Sequence, residues 1–320
     1  MLKIYKSIGE TLVETKVLGE KGSWVNLINP SKEERQMVAR QVGLPLDFLE
    51  YPLDEEESSR IEVEEGSVMI IIRVPIAKGD VYDTIPLGII ITENVTVTVC
   101  LESIVLLGEL SPGRTKGFYT FKKTRFLLQV LYKTAFNYLR YLRQIDKRSE
   151  EIQQILHRST KNEELIKLLS LGKSLVYFTT SLRANEIVME KLLRLHLTKD
   201  PELTEVHPHL IKMYEEDEEL LEDVITENKQ AIEMGEIYAQ ILSNTMDAFA
   251  SVISNNLNIV MKFLTSITIV LMIPTMLASF YGMNVNLPFQ HSLFAFLGIV
   301  VVSVALSFII VMVFRKRHMF

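Results

Sequence analysis

The sequence predicts an α+β membrane protein: an N-terminal cytoplasmic α/β domain, a long helical stalk and two C-terminal transmembrane helices. Three observations lead there. The charged residues stop at Lys262 and resume only at Arg315. The first third of the chain alternates β-branched runs with turn residues. From residue 208 onward no proline interrupts the chain until Pro274.

Segments 2–6, 24–27, 60–64, 68–74, 85–92 and 95–100 are rich in β-branched residues and bounded by Gly, Pro, Asn or acidic turns, as strands are. Glu93 and Asn94 can close a hairpin between the last two. Asn29-Pro30-Ser31 followed by Glu34 is a capping-box start for a helix reaching about Val42. Residues 45–49 read as a further helical turn. The single cysteine, Cys100, falls at a strand end, where burial is expected. One cysteine excludes an intrachain disulfide and fits a reducing compartment. Residues 1–6 lack the apolar core of a signal peptide.

Ser111-Pro112-Gly113 breaks the chain, and helices take over. Two are expected at 119–158 and 163–195, folded as an antiparallel hairpin. A third runs from about residue 208 to Tyr281, roughly 110 Å at 1.5 Å per residue. The expected divisions are 1–117 for the α/β domain, 118–262 for the hairpin and stalk, and 263–320 for the membrane part. Within the last, 263–281 and 293–314 span about 28–33 Å each, matching a hydrocarbon core of roughly 30 Å. Residues 286–292 make the turn.

The two membrane helices differ. The second, with Leu297, Val300, Val301, Leu306 and Ile309, is almost wholly aliphatic and reads as lipid-facing. The first carries a stripe at alternating spacings of three and four: Ser279, Thr275, Met272, Thr268, Thr265, Met261 and Asn258. The same count continues through Ser254, Ser251, Asp247 and Asn244. A heptad stripe is normally the apolar seam of a coiled coil. Here it is polar or soft, while Leu257, Val260, Leu264 and Leu271 flank it. A polar stripe in a bilayer faces protein or water, so a ring of such helices would line a wet pore. The competing reading is that each hydroxyl bonds back to its own helix carbonyl. Pro274 should kink this helix or free a carbonyl near mid-membrane.

The formal net charge is −6. Arg315, Lys316 and Arg317 contribute +3 and residues 263–314 none, leaving −9 on the first 262 residues. Such a body avoids nucleic acid and attracts divalent cations, although ordinary solubility explains the charge equally well. Lys262 and Arg315 to Arg317 flank the hairpin on one side. The positive-inside rule then places both termini in the cytoplasm.

At Ser254-Asn255-Asn256-Leu257-Asn258-Ile259-Val260-Met261-Lys262, Leu264-Thr265, Pro274-Thr275 and Tyr281-Gly282-Met283-Asn284, the chain resembles the CorA family of magnesium channels. A lone Gly-Met-Asn is a weak signal and suits a helix C-cap as well as a pore mouth. At the outer end of the first of two C-terminal membrane helices it is specific. The resemblance implies a selectivity motif at Gly282, Met283 and Asn284. Magnesium is small and slow to lose water, so a ring of neutral amide oxygens can hold the hydrated ion without trapping it. Asn258 and Thr275 would form hydrophilic rings. Met261, Leu264 and Met272 would form an apolar constriction that gates by dewetting, unless they are simple helix packing. Asp247 would be a carboxylate ring low in the path.

The acidic run 215–219 with Glu222 and Asp223 is, in its plain reading, a solvated face at a helix start. The resemblance gives Asp223-Val224 a further role, a regulatory magnesium site shared between subunits with Glu64 or Glu65. Tyr132 stands where the family carries another acid, which thins that site. No acid follows the motif in 285–292 either, so capture at the mouth rests on amide and backbone dipoles.

The family also implies a homopentamer in the plasma membrane. Its partners would be its own copies, the lipid bilayer and divalent cations, with Mg²⁺ both transported and regulatory and no organic cofactor. Two rivals remain: a zinc, cobalt or nickel transporter of the same superfamily, and a membrane-tethered structural or signalling coiled coil that transports nothing. An enzyme is not expected. Gly172-Lys173-Ser174 resembles a phosphate loop, but Lys167 stands where its first Gly belongs. His207-Pro208-His209 lacks helical ligand spacing.

Overall fold

The structure is a computed structural model. It describes the chain except residues 10, 65, 111–117, 159–161, 199–209, 286–293 and 318–320, and except the side chains of 157–158 and 195–198. Two compact units result, Met1–Asn244 and Thr245–Phe320.

The first unit is built on a seven-stranded sheet: β1 (Leu2–Ile8), β2 (Thr11–Thr15), β3 (Ser23–Ile28), β4 (Arg60–Glu64), β5 (Ser67–Lys78), β6 (Val81–Ile91) and β7 (Val95–Cys100). Their order across the sheet is β2-β1-β3-β7-β6-β5-β4. Only β3 and β7 run parallel. β2 was not expected from the sequence. It is a short, mostly exposed edge strand, and it has no buried face to leave an alternating pattern. β5 and β6 run past the expected ends because Gly79, at φ +64°, makes a two-residue turn with Asp80. At the other end of β6, Thr92 N–H bonds to Val95 C=O at 3.0 Å around Glu93 and Asn94.

Helix α1 (Lys32–Val42) begins with the predicted capping box, Ser31 and Glu34 bonding each other's backbone N–H. α2 (Leu46–Glu50) and α3 (Val105–Glu109) follow. α1 and α2 cover one sheet face, placing Val38, Phe48 and Leu49 against Met69, Ile71, Ile90 and Val97. The other face belongs to long helices: α4 (Lys123–Arg158), α5 (Asn162–Thr198) and the start of α6 (Glu215–Tyr281). There Ile70, Ile72, Leu87 and Ile89 share a core with Phe126, Leu127, Val188, Leu221 and Val224. Sheet and helices are therefore layers of one unit, and the division expected at residue 117 falls inside it.

Two helix starts fall later than expected, each for a visible reason. α4 starts at Lys123 rather than 119 because Thr120 is clipped to the sheet. It exchanges bonds with Ser7 at 3.0 Å each and donates to Gly22 C=O at 2.6 Å. α6 starts at Glu215 rather than 208. Asp217 accepts from Tyr214 N–H at 3.3 Å, and its own N–H bonds to Tyr214 C=O at 2.8 Å, a carboxylate cap.

The second unit holds the rest of α6 and α7 (Ala295–Lys316). α6 is continuous through Pro274 and spans 67 residues.

Candidate functional site

In the second unit two helices are long and apolar enough to cross a membrane, and almost none of either apolar window is buried inside the chain. Soluble core helices would be buried. Leu271, Leu297, Val301 and Val304 instead lie open, and burying such side chains from water is worth about 1.5–3 kcal/mol each. They need lipid or further protein around them.

α7 contacts one face of α6. Ser266 and Ser303 are the side chains buried there. Pro274, Ala278 and Tyr281 line a cavity with Ala295, Ile299 and Ser303. Ser307 Oγ donates to the Val270 carbonyl at 3.4 Å. α7, read as lipid-facing, is open over most of its surface but also meets α6 along one face. Ser303 and Ser307, one turn apart on an otherwise aliphatic helix, were the readable signal that one face meets protein.

The stripe lies on the other side of α6. At 3.6 residues per turn, Thr268 and Met272 sit about half a turn from Val270. Asn258, Met261, Thr265, Thr268, Met272, Thr275 and Ser279 are all exposed, as are Leu264 beside them and Asp247 further down the helix. The back-bonding alternative is realised for some of them. Thr268 donates to Leu264 C=O and Thr275 to Leu271 C=O, both at 2.9 Å, and Ser251 donates to Asp247 C=O at 3.0 Å. Back-bonding does not remove the stripe. It occupies the hydroxyl proton and leaves oxygen lone pairs outward, and a cation or its hydration water needs acceptors of that kind.

Beyond the last turn, Gly282 N–H bonds to Ala278 C=O at 2.9 Å and Met283 N–H to Phe280 C=O at 3.3 Å. Gly282 does not take the left-handed φ of a glycine C-cap. A Cβ there would sit 3.3 Å from the Ala278 carbonyl oxygen, so glycine permits this tightened end. Met283 and Asn284 follow, both exposed. Residues 286–292, the expected turn, lie outside the described residues.

The regulatory candidates belong to the first unit. Asp223 is exposed on α6, while the next residue, Val224, is fully buried. Glu64 ends β4 and is exposed; Glu65 lies outside the described residues. Among the described residues, no three His, Cys, Asp or Glu side chains gather to hold a metal within one chain. The acidic run is not wholly a solvated face. Asp217 is 7% exposed and pairs with Arg125 at 3.2 Å. Tyr132 is on the exposed side of α4. His207, Pro208 and His209 lie outside the described residues.

Comparisons agree with this arrangement. The family model described as "CorA-like Mg2+ transporter protein" matches residues 19–316. The "Cobalt/magnesium transport protein CorA" of Methanocaldococcus jannaschii is 30% identical over 298 residues, covering 92% of this chain and 90% of that protein. The complete structure of the CorA magnesium transporter from the same organism superposes with a TM-score of 0.81 at 26% identity. It covers 99% of this chain and 98% of that one. The structure of its soluble domain matches with a TM-score of 0.66 at 27% identity, over 77% of this chain and 95% of that one. A family match over nearly the whole length, joined to the membrane hairpin and its motif, leaves one conclusion: the chain belongs to the CorA family.

Proposed function

We propose that the protein is a magnesium channel of the plasma membrane, assembled as a homopentamer, that passes the ion down its electrochemical gradient. The observation that carries this is the polar stripe of α6, turned away from α7 and exposed along its length. Lipid is a costly neighbour for Asn258 and its companions. Around a symmetric ring they would instead line water.

In that ring Asn284 presents its amide oxygen at the mouth, with Gly282 and Met283 forming the turn. Asn258, Thr275 and Asp247 make hydrophilic rings, and Met261, Leu264 and Met272 make the apolar constriction. Mg²⁺ is cargo, with Co²⁺ a second cargo on the strength of the relative's name. No organic cofactor or catalytic step enters. Lys262 and Arg315 to Arg317 hold both termini on the cytoplasmic side. Cytoplasmic Mg²⁺ closes the channel by bridging Asp223 of one subunit to Glu65 of the next. The exposed Asp223 on a backbone anchored by Val224 supports this reading.

The test is magnesium entry into liposomes holding the purified full-length protein and a magnesium-sensitive dye. Entry that depends on the protein is expected. A membrane tether would give none, and that result would overturn the proposal.

A further inference from the structure

Pro274 has no N–H, so the carbonyl four residues back, that of Val270, loses its helical donor. Inside a bilayer an unsatisfied carbonyl is expensive, because no lipid group can replace the bond. The nearest hydroxyls of the stripe do not serve it, since Thr268 is bonded to Leu264 C=O and Thr275 to Leu271 C=O. The donor comes from the other helix: Ser307 Oγ, part-buried, at 3.4 Å. Next to this break lies an open groove of about 570 Å³ lined by Pro274, Ala278, Gly282 and Ser303 among others, so the segment between Pro274 and the motif is incompletely packed against the second helix.

We infer that Ser307 is a positioning residue of the ion path: by supplying the hydrogen bond that Pro274 removes, it fixes the orientation of 275–284 and so of Thr275 and Asn284. The inference rests on the channel reading above. It involves no contact between Ser307 and the ion. Without the hydroxyl, the Val270 carbonyl must find water or a stripe hydroxyl, and either turns the upper part of α6 away from its present face.

The experiment compares four variants of the full-length protein with the wild type: Ser307→Ala, Ser307→Thr, Pro274→Ala, and Pro274→Ala with Ser307→Ala. Magnesium flux in liposomes and thermal unfolding in detergent are both read. Ser307→Ala should lower flux about fivefold, the equivalent of about 1 kcal/mol at 1.4 kcal/mol per tenfold. Ser307→Thr, which keeps the hydroxyl, should retain flux. Pro274→Ala restores an N–H to Val270, so in that background removing the Ser307 hydroxyl should change nothing further. An equal loss in both backgrounds, no loss in either, or a threonine variant as poor as alanine would each overturn the inference. If the wild type passes no magnesium, the channel reading fails by itself. The unfolding midpoints then still decide the bond: a shift from Ser307→Ala confined to the proline background supports it, and any other pattern overturns it.

Discussion

The side-chain amide of Asn185 on α5 holds both main-chain groups of Arg73 in β5. Its Oδ1 accepts Arg73 N–H at 2.8 Å, and its Nδ2 donates to Arg73 C=O at 2.7 Å. β4 begins at Arg60, opposite Ile71, so β5 has no β4 partner beyond that point. The amide acts there as a stand-in for a strand. Ser59 Oγ also donates to Asn185 Oδ1, at 2.8 Å, and Tyr138 Oη donates to Arg73 C=O, at 3.0 Å. Asn185 is fully buried, so its removal leaves these groups without their partner. Asn185→Ala should therefore destabilise the protein by about 2–3 kcal/mol, more than a single exchanged hydrogen bond, because buried groups are left unsatisfied. Denaturation of the purified full-length protein measures this, and a loss below about 0.5 kcal/mol would show that the pairing is incidental.

Asn284 stands beyond the end of α6, exposed, after a turn that Gly282 makes possible. If its amide forms the selectivity ring, Asn284→Ala removes the only oxygen its side chain can offer a hydrated ion. Uptake should be abolished while the oligomer still forms, as checked by liposome flux beside light scattering of the detergent complex. Unchanged uptake would remove the motif from the ion path.

Much of this arrangement is legible in the sequence. The helix start at Ser31 and Glu34 follows from a local exchange of bonds, and the spans follow from the uncharged stretch after Lys262, so both are written in consecutive residues. The stripe was readable because 3.6 residues per turn converts spacing into a face. What escaped depends on distant residues meeting. Thr120 reaches Ser7 and delays α4, Asp217 meets Arg125, and Ser307 meets Val270. The first two pairs leave no periodic signal; the spacing of Ser303 and Ser307 marks a face of α7 but not the carbonyl it meets. The edge strand β2 escaped for the opposite reason, since an exposed strand needs no alternating apolar face.

Asp223 offers a separate test, since it lies on α6 within the first unit, outside the membrane segment. Its carboxylate is exposed and its neighbour Val224 is buried, so a substitution at 223 changes charge with little effect on packing. If bound Mg²⁺ joins Asp223 to an acid of the adjacent subunit, Asp223→Lys replaces an attraction through the ion by a fixed cation that excludes it. Inhibition of current by cytoplasmic Mg²⁺ should then weaken by about tenfold or more in concentration, the scale of a 1.4 kcal/mol change, while the ion path itself is untouched. An inhibition curve that superposes on the wild type would assign the gating elsewhere.

Cys100 closes β7 with its side chain fully buried, and Sγ–H donates toward Glu102 C=O at 3.1 Å and Leu27 C=O at 3.8 Å. Burial, with a smaller push from the Glu102 charge, raises its thiol pKa from 9.0 to about 12. The thiolate is the reactive form, so a thiol reagent at pH 8 should label the folded protein far more slowly than the denatured protein. The same shift sets a pH dependence. In the unfolded chain the thiol loses its proton near pH 9, whereas in the fold it keeps it to about pH 12. Between those values the unfolded state binds fewer protons, so this group's contribution is fully present below pH 9 and falls as pH rises toward 12. Comparing the pH dependence of unfolding in wild type and Cys100→Ala isolates that term: the wild type should lose stability faster above pH 9, and parallel curves would mean that the thiol ionises as easily in the fold as outside it.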